Sequence, residues 1–155
     1  MLQFQLKKAI LRGFAFMFLS LAAFTFTAKA GGDIFQVYLN NKLILKQFVI
    51  EPLTLKNLPL QDARATDELI VHYSHCGAIG KGRSIVIKDE KGKIYKEWKF
   101  DDATGTNTGM KIPVKEILEL QKKNSGAELN LYYASQEIPK GRMLASLLSG
   151  KKGTT

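Results

Sequence analysis

An antiparallel β-sandwich with one short helix is the fold class this sequence predicts, and three observations carry it. From Ile34 onward about seven short stretches alternate apolar and polar residues with a period of two, as half-buried strands do. Gly, Pro, Asn and Asp cluster between them, where turns need a positive φ or side chains that satisfy the backbone. A single helical stripe follows Pro113, so the helix belongs to a connection and does not form a layer.

Ile34 to Val49 reads as a β-hairpin. Phe35, Val37 and Leu39 share a face opposite Gln36 and Tyr38, Asn40-Asn41 supplies the turn, and Leu43, Leu45 and Val49 resume the alternation. Glu51 to Ala65, punctuated by Pro52 and Pro59, reads as a crossing segment. Glu68 to Cys76 reads as a strand with Leu69, Val71 and Tyr73 on one face and Ile70, His72 and Ser74 on the other. A loop with three glycines in six residues, Gly77 to Gly82, leads into a strand from Arg83 to Asp89. Gly92 then turns a second hairpin, whose return strand sets Ile94, Trp98 and Phe100 opposite Tyr95, Glu97 and Lys99.

Asp101 to Gly109 is a polar loop. After it Pro113 opens a helix with Val114, Ile117 and Leu118 on one stripe, Glu116 early, Lys122 and Lys123 late, and Asn124 with Gly126 as the stop. Leu129, Leu131 and Tyr133 alternate with Glu128, Asn130 and Tyr132, Pro139-Lys140-Gly141 reads as a turn, and Arg142 to Leu148 as the last strand. The whole resembles the immunoglobulin-like architecture, with an open β-barrel as the alternative.

The first thirty residues carry the pattern of a secretory signal peptide. Lys7, Lys8 and Arg12 form a cationic start, Gly13 to Thr27 an apolar run, and Ala28-Lys29-Ala30 the small residues that a signal peptidase accepts. The run is shorter than the roughly 20 residues that span a bilayer, which favours cleavage over anchoring. The expected division is a signal peptide over 1–30, one β-rich domain over 31–149 and a loose tail over 150–155. The expected product is exported to the periplasm or beyond, with no stable membrane insertion after cleavage.

Four of the 23 basic residues and none of the 14 acidic ones fall in that leader, so the remainder carries 19 − 14 = +5 against +9 for the whole chain. That moderate charge, spread along the chain, is what solubility alone requires and also suits an anionic cell surface or a polyanionic glycan; the expected partner is a protein or glycan at the cell envelope, with no nucleic acid. Cys76 is the single cysteine, so no disulfide can close within the chain and stability must come from packing.

His72, His75 and Cys76 are the one concentrated set of transition-metal donors, and a copper site would add Met110 or Met143. On a regular strand residues 72 and 75 face opposite ways, so the three meet only if the strand bulges. The pair His75-Cys76 also has the residue types of a thiolate and its base, but neighbours on a strand diverge and no Asn or Asp partner can be assigned. The glycine loop lacks the Ser or Thr of a phosphate-binding P-loop after Gly80-Lys81. Its Gly77-x-x-Gly80 joins strands, where the nucleic-acid clamp with those letters joins helices. What remains is an anion pocket near Lys81 and Arg83. Asp101, Asp102 and Asn107 gather oxygen donors without the spacing of a calcium loop.

Tyr38, Tyr95 and Tyr132 fall on outward strand positions with Lys46, Lys88 and Lys99, a composition that suits a glycan or a protein partner. The expected function is a small exported, non-enzymatic binding or structural accessory protein without a cofactor, with a metal-handling protein and a thiol-dependent enzyme as alternatives.

Overall fold

The described residues form, in chain order, β1 (Ile34–Leu39), β2 (Lys42–Phe48), β3 (Glu68–Ser74), β4 (Arg83–Asp89), β5 (Ile94–Phe100), β6 (Met110–Pro113), α1 (Val114–Lys123), β7 (Leu129–Ser135) and β8 (Ile138–Leu147). The structure is a computed structural model that describes residues 32–49, 56–105 and 108–147. The proposed signal peptide, the tail from 150 and most of the first half of the crossing segment lie outside the described residues. No helix among the described residues is long and apolar enough to cross a membrane.

Two antiparallel four-stranded sheets face each other, β2-β1-β3-β6 and β5-β4-β7-β8, so the sandwich and not the open barrel is the fold. Hairpins join β1 to β2, β4 to β5 and β7 to β8, while the connections β3–β4, β5–β6 and β6–β7 cross between sheets. This alternation is what an immunoglobulin-like sandwich needs to bury both inner faces. The expected inward residues fill the core: Phe35 and Val37, Leu69 and Val71, Ile85 and Ile87, Leu129 and Leu131 are each at most 1% exposed. Each such side chain contributes about 1.5–3 kcal/mol by leaving water.

Asn40 turns the first hairpin at φ 54 and also clamps the next strand. Its side-chain carbonyl accepts the Glu68 amide at 2.9 Å and its Nδ2 donates to Asp67 Oδ1 at 3.1 Å. The Asp67 main-chain carbonyl in turn accepts the Val114 N–H at 3.0 Å, which satisfies the start of α1 where Pro113, the N-cap, has no side-chain group to offer. Asn124 closes the helix with its backbone N–H and Nδ2 both on the Leu120 carbonyl.

Four details depart from the sequence reading, three of them through bulges. An irregularity after Val37 sets Tyr38 opposite Leu43, so Leu43 moves to the outer face and is 43% exposed while Leu45 stays inside. A second, after Ile87, sets Ile94 opposite Lys88, and Ile94 is 57% exposed although Trp98 and Phe100 still pack on the core. One extra residue reverses every side chain beyond it, which period-two counting cannot anticipate. Pro139-Lys140-Gly141 is not the turn: β7 turns at Gln136-Glu137, and Gly141, at φ 74, lies inside an irregular stretch of β8. Finally, Pro113, expected to open the helix, ends a short strand, Met110–Pro113, whose Met110 and Ile112 are fully buried against β3.

Candidate functional site

Where β3 leaves the first sheet, the chain turns through His75 to Gly82 and builds a buried polar cluster between the sheets. His75 bridges to Ala78 and Gly77 takes φ 73 at the tight turn between them. The backbone therefore reverses so that His75 points inward, 7% exposed, while the neighbouring Cys76 is exposed. His75 Nε2 and the Tyr133 hydroxyl share a hydrogen bond of 2.9 Å, and the rings of Tyr73 and Tyr133 stack at 4.1 Å. Tyr73 donates to Asp33 Oδ2 at 2.7 Å, and Asp33 Oδ1 accepts the Cys76 amide. His75 Nδ1 lies 3.7 Å from Asp33 and its Nε2 lies 3.9 Å from Glu137, whose Oε2 also accepts the Lys81 amide.

The electrostatics keep both phenols neutral. Burial, then the Asp33 carboxylate, pushes the Tyr73 hydroxyl well above its ordinary range. Burial also raises Tyr133, against smaller opposing effects of Ser135 and Arg83. Burial pushes Glu137 up as well, but the Lys81 amide and further hydrogen bonds outweigh it, and its carboxyl sits below the usual carboxylate value. Tyr73 is thus tied to Asp33, His75 to Tyr133, and Glu137 to the loop backbone at Lys81. Chemically this is a clasp between the two sheets.

The glycine loop is held from both sides. Arg83, expected on the surface, is 3% exposed: its Nε and Nη1 donate to the Asp101 and Thr108 carbonyls, both at 2.8 Å. A guanidinium committed to two main-chain oxygens ties the β5–β6 crossing to the loop and has no face turned to an outside anion. Asp102 Oδ1 accepts the Gly82 amide and the Gly80 carbonyl accepts the Ala103 amide, so Asp102 caps a turn. Asn107 lies outside the described residues, and Lys81 is exposed.

The three metal candidates are not brought together. His72 lies on the outer face of the first sheet, opposite Gln36 and edge-on to Tyr38 at 5.4 Å, while His75 is in the clasp and Cys76 faces solvent. Met110 is buried in the core and Met143 pairs with Tyr132 in the other sheet. Among the described residues no group of three or more His, Cys, Asp or Glu side chains is placed to hold a metal ion.

The outward tyrosines also separate. Tyr38 belongs to the first sheet; Tyr132, with Lys88 5.0 Å from its ring, belongs to the second. Tyr95 is carried by the bulge against the core margin, where its hydroxyl donates to Asp89. A different surface emerges instead. On the outer face of β2-β1-β3 the register sets Ile34 beside Phe48, and Leu43 and Ile70 on either side of Tyr38. Phe48 is 59% exposed. Asp33, Tyr133 and Glu137 of the clasp were missed by sequence reasoning because their partners lie 40 or more residues away; the exposed Phe48 and Leu43 were missed because alternation alone assigned Leu43 inward.

Comparison of the chain with protein-family models, with characterised proteins and with solved structures finds no match to any of the three.

Proposed function

We propose that this chain is an exported, non-enzymatic binding protein of the cell envelope that docks a partner on the outer face of its first sheet. The observation that carries the reading is the exposed apolar pair Leu43 and Phe48 on that face, beside Ile34, Tyr38 and Ile70. Singly exposed apolar residues are ordinary, but two apolar rungs on one sheet face, Ile34 with Phe48 and Leu43 with Tyr38 and Ile70, flank a polar rung of Lys46, Gln36 and His72, and this mixture of apolar, aromatic and cationic groups has the make-up of an interaction surface. The leader pattern supports export, and the clasp residues are bound to one another, which supports a scaffold role for that end of the sandwich.

The test is a photo-cross-linking amino acid placed at 43 or 48 and, as control, at 94 on the other sheet, in cells expressing the full chain. An adduct formed from 43 and 48 and missing from 94 supports the reading; equal labelling from all three overturns it. Mass spectrometry of the same product reads the export proposal, which requires a chain that begins at Gly31.

A further inference from the structure

Resting on that docking face, we infer that its occupant is a helix of an acidic polypeptide, laid along the strands with a carboxylate at Lys46 and an apolar side chain on either side of it. The register stacks three rungs across the outer face: Phe48 with Ile34, then Lys46 with Gln36 and His72, then Leu43 with Tyr38 and Ile70. The cation thus stands between two apolar rungs. Lys46 is exposed and its Nζ lies 6.0 Å from the centre of the Phe48 ring, while His72 packs edge-on to Tyr38. The four strands of the sheet contain three lysines, Lys42, Lys46 and Lys111, and one carboxylate, Glu68, which Lys111 holds at 3.2 Å. A partner that complements this sheet therefore brings negative charge to Lys46.

Backbone chemistry selects the form of that partner. β1 and β3, which run under the centre of the face, are each paired on both sides, so they have no edge to offer another strand. An occupant lying across the face must bond its own N–H and C=O groups, and a helix does so within itself. The spacing agrees: rungs recur every two strand residues, about 6.8 Å, and helix residues four apart rise about 6.0 Å. Side chains at helix positions i and i + 8 would meet the two apolar rungs while the one at i + 4 meets Lys46. A glycan fits less well, because Ile34, Leu43 and Ile70 offer a sugar hydroxyl no partner. A second copy docked by the same face would bring a second Lys46 and no free carboxylate.

The probe is an acetylated and amidated peptide of about 17 residues, roughly 25 Å as a helix, built of Ala and Gln with Leu at i and i + 8 and Glu at i + 4. It is titrated against the full chain and followed by fluorescence anisotropy and circular dichroism. Saturable binding with a gain in helix supports the inference. Lys46→Glu is expected to weaken this peptide about tenfold or more and to favour the version with Lys at i + 4 in its place. Leu43→Ser and Phe48→Ser are expected to weaken both peptides, and Ile94→Ser, on the other sheet, neither. All four side chains are exposed, so the unfolding midpoints should match that of the parent chain. Equal binding of the Glu and Lys peptides, or binding without a gain in helix, overturns the inference. Saturation by an acidic oligosaccharide with no binding of the peptide overturns it in favour of a glycan, and a concentration-dependent dimer that shields residues 43 and 48 overturns it in favour of a second copy. Cross-linking from 43 and 48 without peptide binding overturns the helix and leaves the docking face standing; equal labelling from 43, 48 and 94 together with no peptide binding removes both.

Discussion

Gly80 lies so close to Tyr133 that a β-carbon on it would come within 2.7 Å of the tyrosine hydroxyl and 3.1 Å of His75 Nε2. The glycine thus covers the hydrogen bond that joins the sheets, and its role is clearance. Tyr133 cannot yield, since it is fully buried and stacked on Tyr73. Gly80→Ala is expected to destabilise by about 1–3 kcal/mol. Gly105→Ala, where nothing lies within 4 Å, is expected to stay within about 0.5 kcal/mol. Urea midpoints of the two variants check the contrast.

Asn40 combines a left-handed backbone with two side-chain hydrogen bonds to Asp67 and Glu68. Asn40→Ala loses both features and is expected to cost roughly 1–3 kcal/mol, whereas Asn40→Gly keeps the backbone freedom and loses only the bonds, for about 1 kcal/mol less. Chemical denaturation separates them. Equal losses would mean that the conformation contributes nothing.

Trp98 and Ile94 measure the bulge in β5. Trp98 is partly buried against the core; its indole N–H donates to Glu116 Oε2 at 3.3 Å, and Glu116 also meets Lys96 at 2.8 Å. Trp98→Ala is expected to cost about 2–3 kcal/mol, below the loss for a fully enclosed ring, because the edge strand leaves one side open. Ile94→Ala is expected to change stability by no more than about 0.5 kcal/mol. A regular strand would set both residues inward, so a large loss at Ile94 would refute the bulged register.

Stability should fall at both ends of the pH scale. The carboxyls of Asp67, Asp89 and Glu137 sit below their ordinary values: Asp67 chiefly through the Arg64 amide, and Asp89 because the Lys93 and Lys91 amides and the Tyr95 hydroxyl outweigh burial. A folded value below the unfolded one stabilises above the ordinary values of 3.8 and 4.5 and is lost as pH falls through the folded values. The urea midpoint should therefore hold from neutrality to about pH 5 and drop below about pH 4, with a shallower drop for Asp67→Asn.

Tyr73 acts at the other end. Its folded value is raised, so its contribution is complete below the ordinary 10.0 and is lost as the unfolded chain ionises above it. Tyr73→Phe should flatten the alkaline limb, as read by phenolate absorbance during unfolding.

Local pattern determined much of this protein. The alternation at Phe35 and Val37, at Leu69 and Val71, and at Leu129 and Leu131 made the strands and their inner faces legible, because a sheet buries one side and repeats every two residues. Asn40, Gly92 and Asn124 declared their turns and cap through backbone preferences that act within a few residues. Tertiary structure decided the rest. The bulges that moved Leu43 and Ile94 outward depend on the partner strand, and Arg83 became a buried tie only when the β5–β6 crossing brought the Asp101 and Thr108 carbonyls to it. The clasp of Asp33, His75, Tyr133 and Glu137 joins segments up to about a hundred residues apart. Periodicity and turn chemistry are properties of a segment, whereas register and hydrogen-bond partners are properties of pairs of segments.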